Sequence, residues 1–270
     1  MDRERRIAQN SYSGCVGPLG MVGMSSSQAS AQEAVPVSEY IRRTFIPLSR
    51  LAHGWEMHSA VPLSPAEERM MIREPVQAVP GAVAQRLGKL RVLVVPYVAC
   101  AEAGDLVTFA KPEGETHSAV WVETEKQIFL VLPCRELDPH DTGFELLASV
   151  AELLLTHLSS EELERFTQLL EQELRAGVSG EIDEDALAAK EALFSARARR
   201  LNSGRFERYR DIAFISTMAE YMHGLWHDVQ VRVGPEHLPV SPLRRRMKLL
   251  SELFSPNSGY SVFAKELEEE

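Results

Sequence analysis

Residues 144–158 carry polar side chains on little more than one narrow stripe. At 100° per residue, Glu145, Ser149, Glu152 and Thr156 fall within about 60° of one another, and almost all of the remaining circumference is Leu, Val, Ala and Phe. A helix this apolar must be covered on most of its sides, so the chain has to build a packed core around it. With 270 residues, 44% hydrophobic and 25% charged, it has the material of an ordinary globular protein for doing so.

The flanking patterns say what surrounds that helix. Thr142 followed by Glu145 predicts a capping box at its start. Ser159 with Glu162 predicts the start of a second helix, which Gly177 ends. Further helical patterns cover 183–201 and 206–229, and Ser241-Pro242 opens a last one to residue 253, followed by a turn at 256–259. Upstream, a short helix begins near Val37, and Ser64-Pro65-Ala66-Glu67 is a strong helix start. Pro75 and Pro80 are expected to break the chain before a short helical stretch at 82–87 closed by Gly88. Residues 90–95 form a continuous apolar run between Gly88 and Pro96, as a buried strand does. Residues 106–109 read as a short edge strand, and 119–122 with 128–132 as a hairpin around a polar loop. The expected fold is therefore α+β, mainly helical, with a small antiparallel sheet at about 90–133 packed against a helical bundle. Residues 1–36, rich in Ser, Gln, Gly and Ala, read as a disordered extension. Residues 37–230 read as a single core, and 231–270 as a C-terminal helix with an acidic tail.

Charge and cysteine usage exclude several classes. The net charge of -10 opposes nonspecific binding to nucleic acid or to anionic membranes. Arginines cluster at Arg197, Arg199, Arg200, Arg205, Arg208 and Arg210 and again at Arg244 to Arg246, each a local basic patch or a solvated helix face. Cys15, Cys100 and Cys134 are too few and too scattered for a disulfide framework or a zinc ribbon. With no signal-peptide run and no apolar stretch of membrane-span length, a bacterial cytoplasmic location is expected. Phosphate-binding loops, dinucleotide fingerprints and the serine-hydrolase elbow are absent from the sequence, so no catalytic or cofactor-binding residue is nominated.

The best candidate for chemistry lies at 220–228. Helical spacing places Tyr209, Ser216, Glu220, His223 and His227 on one stripe, and His-x-x-x-His is a spacing that can hold one metal ion. A further carboxylate would come from another helix, and Glu152 is the leading donor because its own helix is so apolar. A site of Glu152, Glu220, His223 and His227 would suit zinc, iron or manganese. The competing readings are a solvent-facing polar stripe for the histidines and an ion pair of Glu152 with Arg208 or Arg210. His53 and His58 flank Trp55 in an expected loop, where burial of the tryptophan accounts for the pattern.

The order of elements, a strand at 128–132, a buried helix at 144–158 and a later helix with Ala219-Glu220-Tyr221, resembles the minimal zincin metallopeptidases. The resemblance covers roughly 80–228. It puts Ala148 and Glu152 at the two histidine positions of His-Glu-x-x-His, Ser149 at the general base and Glu220 in the third-ligand segment. The defining motif is thus missing, and a serine cannot serve as the glutamate water-activator. What the resemblance implies is a catalytically dead scaffold.

Two functions follow as expectations. The first is a non-enzymatic protein-interaction or regulatory subunit without cofactor, its partner surface at the Arg197 to Arg210 region, the 256–260 loop or the N-terminus. The alternative is a metal-dependent hydrolase with zinc or iron at the Glu/His site.

Overall fold

A computed structural model describes residues 34–194, 203–227 and 234–262. The expected N-terminal extension (save its last residues), the arginines at 197–200 and the acidic tail lie outside them. The chain forms two compact units. One comprises Met1–Arg50, Gly54–Ser64 and Lys89–Thr142, and the other Leu51–His53, Pro65–Gly88 and Gly143–Glu270. The division differs from the single core read over 37–230, and the C-terminal helix belongs to the second unit.

The first unit holds the strands. β1 (Val35–Pro36), β5 (Tyr97–Ala99) and β6 (Leu106–Thr108) form a three-stranded antiparallel sheet in the order β1-β6-β5. β2 (Ser49–Arg50), β3 (Glu56–Ser59), β4 (Leu90–Val95), β7 (Val120–Glu123) and β8 (Ile128–Pro133) form a five-stranded sheet in the order β2-β3-β4-β8-β7. The α+β, mainly helical class expected from the sequence holds, and within 90–133 the β5–β6 and β7–β8 pairings are antiparallel as expected, the exception being the parallel pairing of β4 with β8. The three inner strands of the five-stranded sheet run parallel, with Met57 opposite Val92 and Val92 opposite Leu130, and only its two edge pairings are antiparallel. The cause was visible in composition. Nearly all of β4 and all of β8 are buried, as strands inside a parallel sheet are, whereas antiparallel strands commonly alternate. A parallel pair needs a long crossover, and residues 96–127 and 60–89 supply it. α1 (Val37–Tyr40) adds Val37 and Tyr40 to a cluster with Phe45, Leu93, Val95, Phe129 and Val131. Trp55 is buried just before β3.

The second unit is helical. α2 (Pro65–Glu68), a π turn (Arg69–Arg73) and α3 (Glu74–Ala78) run on without a break. Pro75 was expected to interrupt this stretch. It sits instead in the first turn beyond the π turn, and that wider turn accommodates a residue without an N–H. α4 (Gly81–Leu87) follows. α5 (Pro139–Leu155), of which residues 143–155 belong to this unit, begins earlier than its capping box predicted. Asp138 Oδ1 accepts from the Asp141 N–H at 2.9 Å, and Thr142 lies inside the helix with its hydroxyl donating to the Asp138 carbonyl. α6 (Ser160–Arg175) carries the predicted Ser159–Glu162 box in full. α7 (Glu184–Phe194), α8 (Ser203–Trp226) and α9 (Val240–Leu253) complete the unit. At Gly180, φ is +69° and an added Cβ would stand 2.1 Å from the His237 carbonyl oxygen, so glycine alone fits.

Candidate functional site

α8 carries the histidine stripe, and most of its C-terminal two thirds is enclosed. Tyr209, Ala213, Phe214, Ile215, Ser216, Thr217, Met218, Ala219, Tyr221, Met222 and Leu225 are all buried, which corrects the expectation of a broad solvent-facing polar side. Its polar groups are consumed internally. Thr217 donates to the Ala213 carbonyl at 2.5 Å, and Ser216 donates to Asp183 and to the Ile212 carbonyl. Tyr221 donates to the Phe254 carbonyl at 2.7 Å, and burial pushes its phenol well above the usual range.

At the C-terminal end of α8 the predicted residues do meet in part. Glu220 Oε2 stands 3.7 Å from His223 Nδ1, with both side chains largely covered, and His227 is exposed. The His223 ring packs edge-on to Phe144 at 5.4 Å, to Trp226 at 5.9 Å and to His227 at 5.6 Å. Trp226 donates to Glu74 at 3.3 Å. Gly143 lets α5 come this close, since a Cβ there would lie 2.7 Å from the Trp226 ring and 2.8 Å from the Met70 carbonyl oxygen. His223 and His227 both belong to a group of potential metal ligands whose donor atoms lie within 4.8 Å of one another. Neither Glu152 nor Glu220 belongs, among the described residues, to a group of three potential ligands with donor atoms within 4.8 Å of one another.

Glu152 is half-buried on α5 and has no hydrogen bond or ion pair among the described residues. The arginine pairing weighed for it does not form: Arg210 pairs with the adjacent Asp211 at 2.7 Å, and Arg208 acts on Asp185. Burial, reinforced by the charge of Glu145, pushes the Glu152 carboxyl up to about 7. Ser149, in the same stripe, donates to the Glu145 carbonyl and is spent on its own helix. Ala148 is half-buried.

Two features escaped sequence reasoning. The first is a buried ionic cluster. Arg246 on α9 donates to Glu173 Oε2 through Nε and Nη2 at 2.9 and 2.7 Å, and to Glu181 through Nη1 and Nη2 at 2.7 and 3.0 Å. Lys190 on α7 donates to Glu181 at 3.0 Å, and Tyr209 donates to it at 2.6 Å. Two cations face two carboxylates, and every member is at most 4% exposed. Burial acts to raise the Glu181 pKa, but Arg246, then Lys190 and Tyr209, more than offset it and hold the carboxyl below its ordinary value. Of Arg244 to Arg246, the third member is thus interior, Arg244 is half-buried and Arg245 is exposed. Tyr209, expected beside the histidines, serves this cluster.

The second feature is a groove of about 260 Å³ between α6 and α9, lined by Arg165, Gln168, Leu169 and Gln172 on one side and Arg245, Lys248, Leu249 and Glu252 on the other. On each helix the lining residues recur at i, i+3, i+4 and i+7, with a leucine at i+4. That repeat was legible as a second amphipathic stripe, but it lies beside the buried faces of both helices and was not separated from them. The 256–260 loop, weighed as a partner surface, is partly engaged: Asn257 Oδ1 accepts from the Gly81 N–H, and its Nδ2 donates to the Gln77 and Val79 carbonyls.

No protein-family model, curated protein or solved structure matches the chain. No helix among the described residues is long and apolar enough to cross a membrane.

Proposed function

We propose that the chain is a non-enzymatic interaction or regulatory subunit, built on a scaffold read as a catalytically dead relative of the minimal zincins. The observation that carries this reading is the α6–α9 groove, where an acidic protein presents two leucines among three cations and one carboxylate. Charged, partly apolar concavities of this kind suit a protein partner better than a small substrate. A photo-crosslinking residue placed in turn at Glu39, Glu113, Glu125, Glu164, Gln172 and Lys248 tests it in cells of the native host. A defined crosslinked partner from at least one position is expected. Its absence from all of them overturns the reading.

A metal-dependent hydrolase is the second reading, and Glu152 is what favours it. A carboxyl titrating near neutral pH is suited to general acid-base work. His223 and His227 would hold the zinc or iron, which would activate water. Metal analysis of protein purified without chelator decides: near-stoichiometric metal lost in His223→Ala supports the hydrolase, and none in either protein removes it.

A further inference from the structure

We infer that the α6–α9 groove receives an amphipathic helix of a partner protein, one whose leucine stripe is flanked by carboxylates. The inference rests on the interaction reading above and names the chemistry of the partner.

The geometry of the two helices sets the shape of the occupant. Arg165 pairs with Glu252 at 2.9 Å and Glu173 with Arg246 at 2.7 Å, so α6 and α9 run antiparallel. The lining spans two turns on each helix, about 10 Å along the axis. The inner stripes, Phe166, Leu170 and Glu173 on α6 and Leu243, Arg246, Met247 and Leu250 on α9, are buried within the unit. The groove is formed by the next stripe round, with Leu169 and Leu249 half-buried at its floor. A trough between two antiparallel helices with an i, i+3, i+4, i+7 repeat on both walls matches a third helix, whose own apolar residues recur at the same spacing.

The charge of the groove sets the flanks of the occupant. Arg165 has Glu252 as its partner, and Gln168 donates to Glu164 at 2.8 Å. Arg245 and Lys248 are both exposed and, among the described residues, neither has a carboxylate within 4.0 Å. Among the described residues, Arg245 donates to the Ser241 hydroxyl alone, at 3.0 Å. Two cations one turn apart beside a leucine favour Glu or Asp at matching spacing on the incoming helix. A basic helix would face like charges there.

The test uses the full chain and three labelled peptides of one amphipathic helical design, followed by fluorescence anisotropy. The first has a leucine stripe flanked by glutamates, the second has those glutamates replaced by lysine, and the third keeps the glutamates but has serine for leucine. Only the first is expected to bind, and added salt weakens it. The double variant Arg245→Glu, Lys248→Glu changes exposed positions, and circular dichroism checks its fold. It should weaken the first peptide by about tenfold or more and gain affinity for the second. Equal binding of the first two peptides, or no response to the double variant, overturns the inference. Tighter binding after deletion of residues 263–270 would make the chain's own acidic tail the occupant and overturn it in that form. If the crosslinking scan captures a partner from other positions while all three peptides fail, the interaction reading stands and the groove assignment falls.

Discussion

Glu181 and Glu152 are two shielded carboxylates of the same helical unit that answer burial in opposite ways. Glu181 is surrounded by Arg246, Lys190 and Tyr209 and keeps its charge. Among the described residues Glu145 is the charged neighbour that acts on Glu152, which holds its proton to about pH 7. Desolvation is the largest influence at both sites, so the presence of a cation decides the outcome. A buried carboxylate with its partners ties helices together. One without them becomes a proton-binding group near neutrality, and that is why Glu152 remains the residue to watch if chemistry exists here.

The strongest way to break the comparison is to remove the cation from the first site. Arg246→Met leaves Glu173 and Glu181 buried against Lys190 alone, and stability should fall by about 3–5 kcal/mol in urea unfolding. Replacing Arg246, Glu173 and Glu181 together by apolar residues of similar volume should recover much of that loss, because the cost lies in orphaned charge rather than in lost attraction. A triple variant no more stable than the single one would mean that the cluster is needed for packing instead.

The next effect depends on pH and has opposite signs at the two sites. The Glu181 pKa is depressed on folding, so its contribution is present above the ordinary value near 4.5 and is lost as pH falls through the folded value. The Glu152 pKa is raised from 4.5 to about 7. The folded state therefore binds the extra proton between those values, and stability is lost as pH rises through that window. Glu152→Gln should match the parent near pH 4 and exceed it by about 1–2 kcal/mol near pH 8, a figure discounted for the partial exposure of the group. Unfolding midpoints that stay parallel from acid to alkaline pH would contradict the raised pKa.

A smaller change sharpens the first site. Tyr209→Phe removes one of the donors to Glu181 and keeps the ring packing, and about 1–2 kcal/mol should be lost. The acid limb of the stability profile should move to higher pH, because one of the groups holding the Glu181 carboxyl down has gone.

How far the sequence reported these sites follows from the range of the interactions. Ser159 with Glu162, Gly88 after α4 and the apolar runs of β4 and β8 are local patterns and were readable. β3 was not, because Glu56-Met-His-Ser59 has a single apolar residue and its place comes from pairing with β4. The Arg246 cluster joins positions up to 73 residues apart, and no local spacing connects them. Thr142 misled for the opposite reason. A capping box was present in sequence, but Asp138 caps one turn earlier. At the candidate site, the approach of His223 and Glu220 was legible as i, i+3 spacing, whereas the position of Glu152 relative to them depends on tertiary packing that sequence does not encode locally.

The smallest predicted effect isolates the neighbour from the solvent at the second site. Burial is the larger influence on Glu152 and Glu145 the lesser, and the two residues lie seven positions apart on the same stripe of α5. Glu145→Gln removes the like charge and leaves the covering side chains in place. The Glu152 pKa, followed by carboxyl-carbon NMR, should move down but stay above 4.5, since the desolvation remains. A return to the ordinary value would make charge repulsion, not burial, the controlling influence, and the contrast with Glu181 would then reduce to the sign of the nearest charge. No change at all would mean that water screens the pair along the half-buried stripe, leaving burial as the only difference that matters.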